Sequence, residues 1–322
     1  MSRPPDLITL SDDDLAFFRL TCDLFPGPES PLKFLEDDEA EPDDAAEVFE
    51  SLKGRGLLNP AGSGAAQMLL DRLTPVSECS ARVILSAKGA KPEKRSFYFA
   101  ANSGVEYHRD KAGHFFGLPR SEAAVAAELA QYFKPSSRQE PLIARLSAGD
   151  YLVFAVFARD VRASPQAATG PDAPMSIAEV LAYFDEPEAQ GIQAPSDDSW
   201  ETSIVTLTRL GVIERQGDNY RLQARWHPVA CEIVADRQHV VSRYDFLDEQ
   251  WLVREVSLYP TRDSVFRLGT ESDSSVVIEE LTTTTLANVL AGVIGTLPNL
   301  LNPEAPPVLK HPMLASRPGT SR

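Results

Sequence analysis

The chain has 322 residues, of which 43% are hydrophobic and 24% charged, a composition typical of a globular protein. Its formal charge of -16 is concentrated at one end, because the first 50 residues hold 15 acidic and 3 basic side chains and the rest hold 32 and 28. A chain without a basic stripe lacks the electrostatic footprint of nucleic-acid binding, and no apolar run approaches the roughly 18 residues of a membrane span. We expect a cytoplasmic protein with no nucleic-acid partner and no membrane insertion, whose three scattered cysteines (Cys22, Cys79 and Cys231) are reduced.

The first part of the chain predicts helices around a β-meander. A capped helix follows Ser11, and after an acidic stretch come a second helix, about 43–53, and a third, about 64–73, which ends before Pro75. Four strands rich in β-branched and aromatic residues follow, and a helix with Val125, Leu129 and Phe133 at helical spacing closes this part. The predicted strands are 81–87, 96–101, 105–108 and 114–118.

The later part of the chain repeats this order. Its predicted elements are a helix over 199–210, strands over 231–235, 240–246, 251–258 and 264–268, and a helix over 274–294. Four sequence landmarks recur at offsets of 150 to 155 residues: Gly56 and Gly211, Pro75 and Pro228, a Phe-x-Leu pair, and a Glu-Leu pair. We therefore predict an α+β protein of two quasi-symmetric halves, each an antiparallel β-meander flanked by helices.

Composition divides the chain into four predicted parts. They are a first half with the N-terminal helix and acidic linker (1–163), a linker (164–175), a second half (176–298), and a Pro-rich tail expected to be disordered (299–322). Within the first part, the apolar stretch 151–161 is compatible with either a buried helix or a strand.

No motif in the sequence predicts catalysis. It lacks Cys-x-x-Cys, His-Glu-x-x-His, Gly-x-Ser-x-Gly and a complete phosphate-binding loop. His108, Asp110 and His114 could share a metal ion across a hairpin, but a polar turn between two strands explains them better. We predict no catalytic residue, no metal and no cofactor, and class the chain as non-enzymatic.

Four segments of the chain carry a family resemblance. In order they are ITLSDDDLAFF, FESLKGRGLL, ARVILS and GLPRSEAAVAAELAQYF. Their order and character resemble the EspG family of type VII secretion chaperones, over about residues 7–298. The resemblance implies two quasi-symmetric halves, each an antiparallel sheet flanked by helices, and a cytosolic role in keeping secretion substrates soluble. The acidic stretch 36–50 and the Pro-rich tail depart from the family's pattern, which leaves the substrate open.

Two apolar surfaces are candidates for binding a helical protein client of such an adaptor or chaperone. An antiparallel sheet covered by helices on one side has a second face that can receive a partner, and the last predicted helix is very apolar for a surface helix. Core packing is the alternative role for each of these side chains. The candidate partner-binding residues are Tyr244, Phe246, Trp251, Val253, Leu286, Leu290 and Val293.

The segment 199–222 supports an alternative function. A helix followed by LGVIERQGDNYRL resembles the helix and wing of a winged-helix module, with Gln216–Asn219 as the wing tip. Winged helices often bind DNA, so the alternative is a regulator that binds DNA or protein. Within the helix, one basic residue, Arg209, stands against Glu201, and two aspartates precede it, which favours protein contacts.

Overall fold

The computed structural model describes residues 7–22, 24, 26–36, 42, 44–88, 93–101, 103–163, 174–184, 197–247, 250–272 and 275–296. Most of the predicted acidic linker, residues 164–173 and the predicted disordered tail lie outside these ranges. The elements up to residue 132 are β1 (Ile8–Leu10), α1 (Asp12–Cys22), α2 (Ala45–Gly54), α3 (Gln67–Ser77), β2 (Ala81–Ala87), β3 (Glu93–Ala100), β4 (Ser103–Asp110), β5 (Gly113–Phe116) and α4 (Glu122–Tyr132). They are followed by β6 (Ile143–Ser147), α5 (Ala148–Ala163), α6 (Ile177–Ala182), α7 (Asp197–Arg209), β7 (Ile213–Gln216), β8 (Asn219–Leu222), α8 (His227–Val234), β9 (His239–Leu247), β10 (Gln250–Pro260), β11 (Val265–Ser272), β12 (Ser275–Glu280) and α9 (Thr283–Ile294).

The strands form one ten-stranded antiparallel sheet and a separate hairpin of β7 and β8. From edge to edge, the order in the large sheet is β1-β5-β4-β3-β2-β9-β10-β11-β12-β6. The central pair is β2 and β9, and the strands follow the same sequence outwards from each of them. This topology confirms the predicted α+β fold of two quasi-symmetric halves, related by an approximate two-fold axis through the β2–β9 pair.

Each half begins with a helix cap of the same kind. At the end of β1, the Ser11 hydroxyl accepts from Asp14 N at 3.0 Å, and the Asp14 carboxylate accepts from Ser11 N at 3.0 Å. At the end of β6, Ser147 and Asp150 exchange the same two bonds at 3.1 and 3.0 Å. Both are capping boxes that turn an edge strand directly into a helix.

The position of β6 and α5 differs from the predicted organisation. The sequence expectation places 143–163 in the first half, but β6 pairs with β12 and α5 packs in the core of the second half. Residues 151–161, for which the sequence allowed either a helix or a strand, are part of the helix α5. In structural terms, the second half therefore begins near residue 143; the other predicted boundaries remain predictions.

One of the sequence landmarks occupies equivalent places in the two halves. Gly56 and Gly211 each follow a helix and have φ of 69° and 64°, the left-handed conformation that favours glycine. Pro75 lies near the end of α3, which continues past it to Ser77, whereas Pro228 is the second residue of α8. The Phe-x-Leu pairs fall on β5 and β11, which are not equivalent strands, so that repeat does not reflect the symmetry.

Two sequence predictions in the second half are wrong. The segment 231–235, predicted as a strand, belongs to α8, and the predicted helix 274–294 divides into β12 and α9. The parts that were assigned wrongly lie in α8 and β12, which are short, and short apolar runs do not distinguish a strand from a buried helix by periodicity.

Helices cover the sheet unequally. On one face, α4 and α9 lie side by side over the centre of the sheet, where they bury Val83, Phe97 and Val241. On the opposite face, α1 to α3 pack over the first half and α5, α7 and α8 over the second half, each set with its own core. None of the helices in the described ranges is long and apolar enough to cross a membrane.

Candidate functional site

The opposite face of the sheet has a strip at its centre that none of the helices in the described ranges covers. There α3 lies against β3 and β4, and α8 and α5 lie against β10, β6 and β12, so the middle of β2, β9 and β10 stays between the two helix layers. The side chains on this strip belong to none of the three hydrophobic cores, and each is at least partly exposed. We call them the central strip: Arg82, Ile84, Tyr244, Phe246, Trp251 and Val253.

Strand register sets these side chains in rows. Because directly paired residues of antiparallel strands point to the same face, Arg82 opposite Tyr244 and Tyr244 opposite Val253 form one row. Phe246 opposite Trp251 forms the next. The four candidates that the sequence placed on β9 and β10 are therefore neighbours on one surface.

The aromatic rings of the strip contact one another. Trp251 lies edge-on to Tyr244, with ring centroids 6.1 Å apart and an interplanar angle of 88°, and is 5.2 Å from the Phe246 centroid. Val253 beside them is 46% exposed. A contiguous apolar surface of this kind is unusual, whereas single exposed apolar residues are common.

Arg82, which sequence reasoning missed, lies in the middle of this aromatic surface. Its Cζ atom is 5.0 Å from the Tyr244 ring centroid and 5.7 Å from that of Trp251, within cation–π distance of both. The sequence predicted β2 as a strand and so placed Arg82 on it. The sequence did not show that β2 pairs with β9, which places Arg82 opposite Tyr244, 162 residues later in the chain.

Burial and the Arg82 charge act together on two neighbouring groups. Burial raises the pKa of Cys79 to about 11 and also raises the pKa of Tyr98, and in both cases the positive charge of Arg82 opposes the rise. The negative charge of Glu29 adds to the rise in the pKa of Cys79. The guanidinium group therefore lies among aromatic, hydroxyl and thiol groups, where its charge is felt by its neighbours.

The α9 candidates lie elsewhere. Leu286 and Leu290 have no exposed surface, because they pack against α4 and the other face of the sheet, and Val293 is partly buried against the same core. The two leucines therefore have no surface to offer a partner in this structure. The apolar character of α9 is explained by its position between α4 and the sheet.

A buried charge network fastens the end of α9 to the sheet. Arg243 is 3% exposed and forms ion pairs with Asp245 at 2.7 Å and Glu122 at 2.6 Å. It also donates to the carbonyl oxygen of Ile294, the last residue of α9. Arg254 donates to two further carbonyl oxygens at this helix end and pairs with Asp245 at 3.0 Å. These cations satisfy carbonyl groups that a helix end leaves without partners.

The histidines considered as metal ligands are engaged in other contacts. His114 is fully buried; its Nδ1 is 2.8 Å from the Tyr107 hydroxyl and its Nε2 is 2.5 Å from an Asp12 carboxylate oxygen. Burial lowers the pKa of His114, and the Asp12 carboxylate only partly offsets this. The neutral ring is satisfied here, with Nε2–H donating to Asp12 and the tyrosine hydroxyl donating to Nδ1.

His108 and His114 cannot share a metal ion in this arrangement. His108 pairs across the hairpin with Phe115 and stacks on its ring, whereas His114 pairs with Arg109, so the two imidazoles point to opposite faces of the sheet. In the described part of the chain, no group of three or more His, Cys, Asp or Glu side chains could hold a metal ion.

The hairpin predicted as a wing is present. Gln216 pairs with Asn219 at its tip, directly after α7. Its basic side chains are paired with acids: Arg215 with Asp218 at 3.3 Å, and Arg221 with Glu214. Pairing reduces the charge that this hairpin could offer to a phosphate backbone.

The comparisons with known proteins identify no family. No protein-family model matches the sequence, and no curated protein matches it. Among solved structures, one similar chain is the Mycobacterium tuberculosis type VII secretion system chaperone EspG5, in complex with a PE25–PPE41 dimer. The two chains are 11% identical, the likeness covers 91% of this chain and 97% of that one, and the TM-score is 0.48. This is a weak fold resemblance, and it assigns no function.

Proposed function

We propose that this chain is a non-enzymatic cytoplasmic adaptor of the secretion-chaperone type, which binds a helical protein client on the central strip. The observation that carries the proposal is the contiguous aromatic and apolar surface of Tyr244, Phe246, Trp251 and Val253, between two helix layers. The class of client, a secretion substrate kept soluble before export, follows from the EspG resemblance of the sequence.

The shape and chemistry of the strip suit a protein partner. Tyrosine and tryptophan are the residues most enriched at the energetic centres of protein interfaces, where they are flanked by contacts that exclude water. The strip has this composition at its middle and helix layers at its sides. An amphipathic helix laid between those layers would bury its apolar face on the rings, as helices do in other grooves.

The test compares two exposed valines. Val253 lies on the strip and is 46% exposed, and Val205 lies on α7 and is 66% exposed. The full chain is used to isolate a stoichiometric protein partner from the native host, and the purified partner is titrated against wild type, Val253→Arg and Val205→Arg. We expect Val253→Arg to weaken binding at least about tenfold, as loss of a central interface contact does, and Val205→Arg to bind as wild type does.

Stability provides the control. Both valines are exposed, so neither substitution should lower the midpoint of thermal unfolding appreciably. Equal affinity of the two variants for the partner would refute the proposed surface. Recovery of the chain without any stoichiometric partner would refute the proposed function.

A further inference from the structure

Among the described residues, Arg82 has no acidic partner, unlike Arg95 and Arg243 of the same sheet. Arg95 pairs with Glu106 at 2.7 Å and with Glu128 at 2.6 Å, and Arg243 pairs with Glu122 and Asp245. Among the described residues, none of the ion pairs within 4.0 Å involves Arg82. Its Nε–H group is buried and donates to no hydrogen-bond acceptor in the described ranges.

An arginine left in this state is prepared to bind an anion. The rings of Tyr244 and Trp251 hold the guanidinium by cation–π contacts and the Tyr98 hydroxyl is hydrogen-bonded to it, but none of the described residues gives it an anionic acceptor. A partly buried guanidinium interacts more strongly with a carboxylate than one fully surrounded by water. Because Nε is enclosed, the carboxylate would be held by the two terminal nitrogens.

We propose that Arg82 binds the carboxylate of an aspartate or glutamate side chain in the client, and that this acidic residue has an apolar neighbour on the side that faces Phe246 and Trp251. The inference rests on the proposed function, which it deepens by naming the chemistry that the strip recognises. The chain as a whole carries a formal charge of -16, so the positive charge of Arg82 is a local feature that can select an acidic group on this surface.

The surroundings of Arg82 favour an internal side chain over a chain terminus. Phe246 and Trp251 form the row on one side of the Arg82–Tyr244 row, and the row on the other side consists of Ile84, Ser242 and the exposed Glu255. A segment that crosses Arg82 therefore meets an apolar surface on the first side and a mixed surface on the second. A terminal carboxylate would use only one of these two sides.

The test titrates the full chain with blocked peptides and needs no identified client. The probes are acetyl-Ala-Leu-Glu-Leu-Ala-amide, the same peptide with glutamine in place of glutamate, and a glutamine version with a free C-terminal carboxylate. Binding is followed by the NMR signal of the Trp251 indole, assigned with Trp251→Phe. We expect a saturable shift with the glutamate peptide and at least about fivefold weaker binding of both glutamine peptides, consistent with loss of one charge-assisted contact.

Three variants separate the role of Arg82 from a general charge effect. Arg82→Gln should bind the glutamate and glutamine peptides equally, and Arg82→Lys, which keeps the charge, should retain a preference for glutamate. Arg262→Gln removes the same charge from the exposed turn between β10 and β11, and should behave as wild type. Thermal unfolding of each variant shows whether it is folded.

Each remaining outcome would overturn the inference. For wild type, these outcomes are no saturable shift with the glutamate peptide, or binding of either glutamine peptide with the same affinity as the glutamate peptide. For folded Arg82→Gln, the outcome is a preference for glutamate that persists. Failure here is distinguishable from failure of the proposed function, because the comparison of Val253→Arg with Val205→Arg uses the client and does not depend on Arg82.

Discussion

Replacing Arg243 with methionine should strongly destabilise the fold. The guanidinium is 3% exposed and is held by Glu122, Asp245 and the carbonyl oxygen of Ile294. Removing one member of a buried ion pair leaves the opposite charge buried without a partner, which costs about 3–5 kcal/mol of unfolding free energy. Because Arg254 still pairs with Asp245 at 3.0 Å, we expect the lower end, about 3 kcal/mol.

The assay is urea unfolding at neutral pH, followed by circular dichroism and by tryptophan fluorescence. Arg215→Met is the matched control, because it makes the same change in the exposed pair with Asp218 and should alter stability little. Combining Arg243→Met with Glu122→Gln should cost less than the sum of the single changes, since the second removes a charge that the first has left unpaired. A loss below about 1 kcal/mol for Arg243→Met, or an equal loss in the control, would refute the reasoning.

Three further predictions concern the same sheet and its helices. Burial raises the pKa of Glu122, but its hydrogen bonds and ion pair together outweigh burial and hold the pKa below its ordinary value of 4.5. A carboxylate whose pKa is lower in the folded state stabilises the fold above its pKa in the unfolded chain, and this stabilisation is lost as the pH falls through its pKa in the folded state. The difference in thermal unfolding midpoint between wild type and Glu122→Gln should therefore narrow below about pH 4.5. Gly104→Ala should lower the free energy of unfolding by about 1–3 kcal/mol through overpacking, because a Cβ at this position would lie 2.2 Å from the buried Phe99 ring. The control is Gly269→Ala, which should cost less because a Cβ at that position would have no atom within 4 Å. Equal losses of unfolding free energy for the two variants in urea would contradict this prediction. Leu290→Ala should lower the free energy of unfolding by about 2–5 kcal/mol as a core cavity, since Leu290 has no exposed surface; weaker client binding at unchanged stability would instead make it a surface contact.

Local patterns in the sequence predicted the helices and strands that have a clear period. The strand 81–87 is observed with those bounds, and the predicted helix 199–210 is seen as Asp197–Arg209. The helix has 13 residues, enough to show the helical period, and the strand is rich in β-branched residues and bounded by polar segments. By contrast, α8 has eight residues and β12 has six, and runs so short and apolar fit either structure.

Long-range pairing explains what the sequence could not predict. The expected boundary near 164 follows composition, but β6 joins the sheet through β12, more than a hundred residues later in the chain. The candidate site divides in the same way. Alternation placed Tyr244 and Trp251 on one surface, as observed, whereas the pairing that adds Arg82 beside them depends on the contact between β2 and β9.

The measurement that tests the central claim most directly is the response of the chain's three tryptophans to a bound client. Trp200 and Trp226 are 4% and 1% exposed in the second-half core, and Trp251 is partly exposed on the central strip. The protein is labelled with 5-fluorotryptophan, and its fluorine NMR signals are recorded with and without the purified client. We expect the Trp251 signal to shift and the signals of Trp200 and Trp226 to stay in place. A client that binds stoichiometrically and leaves the Trp251 signal unchanged would contradict this prediction.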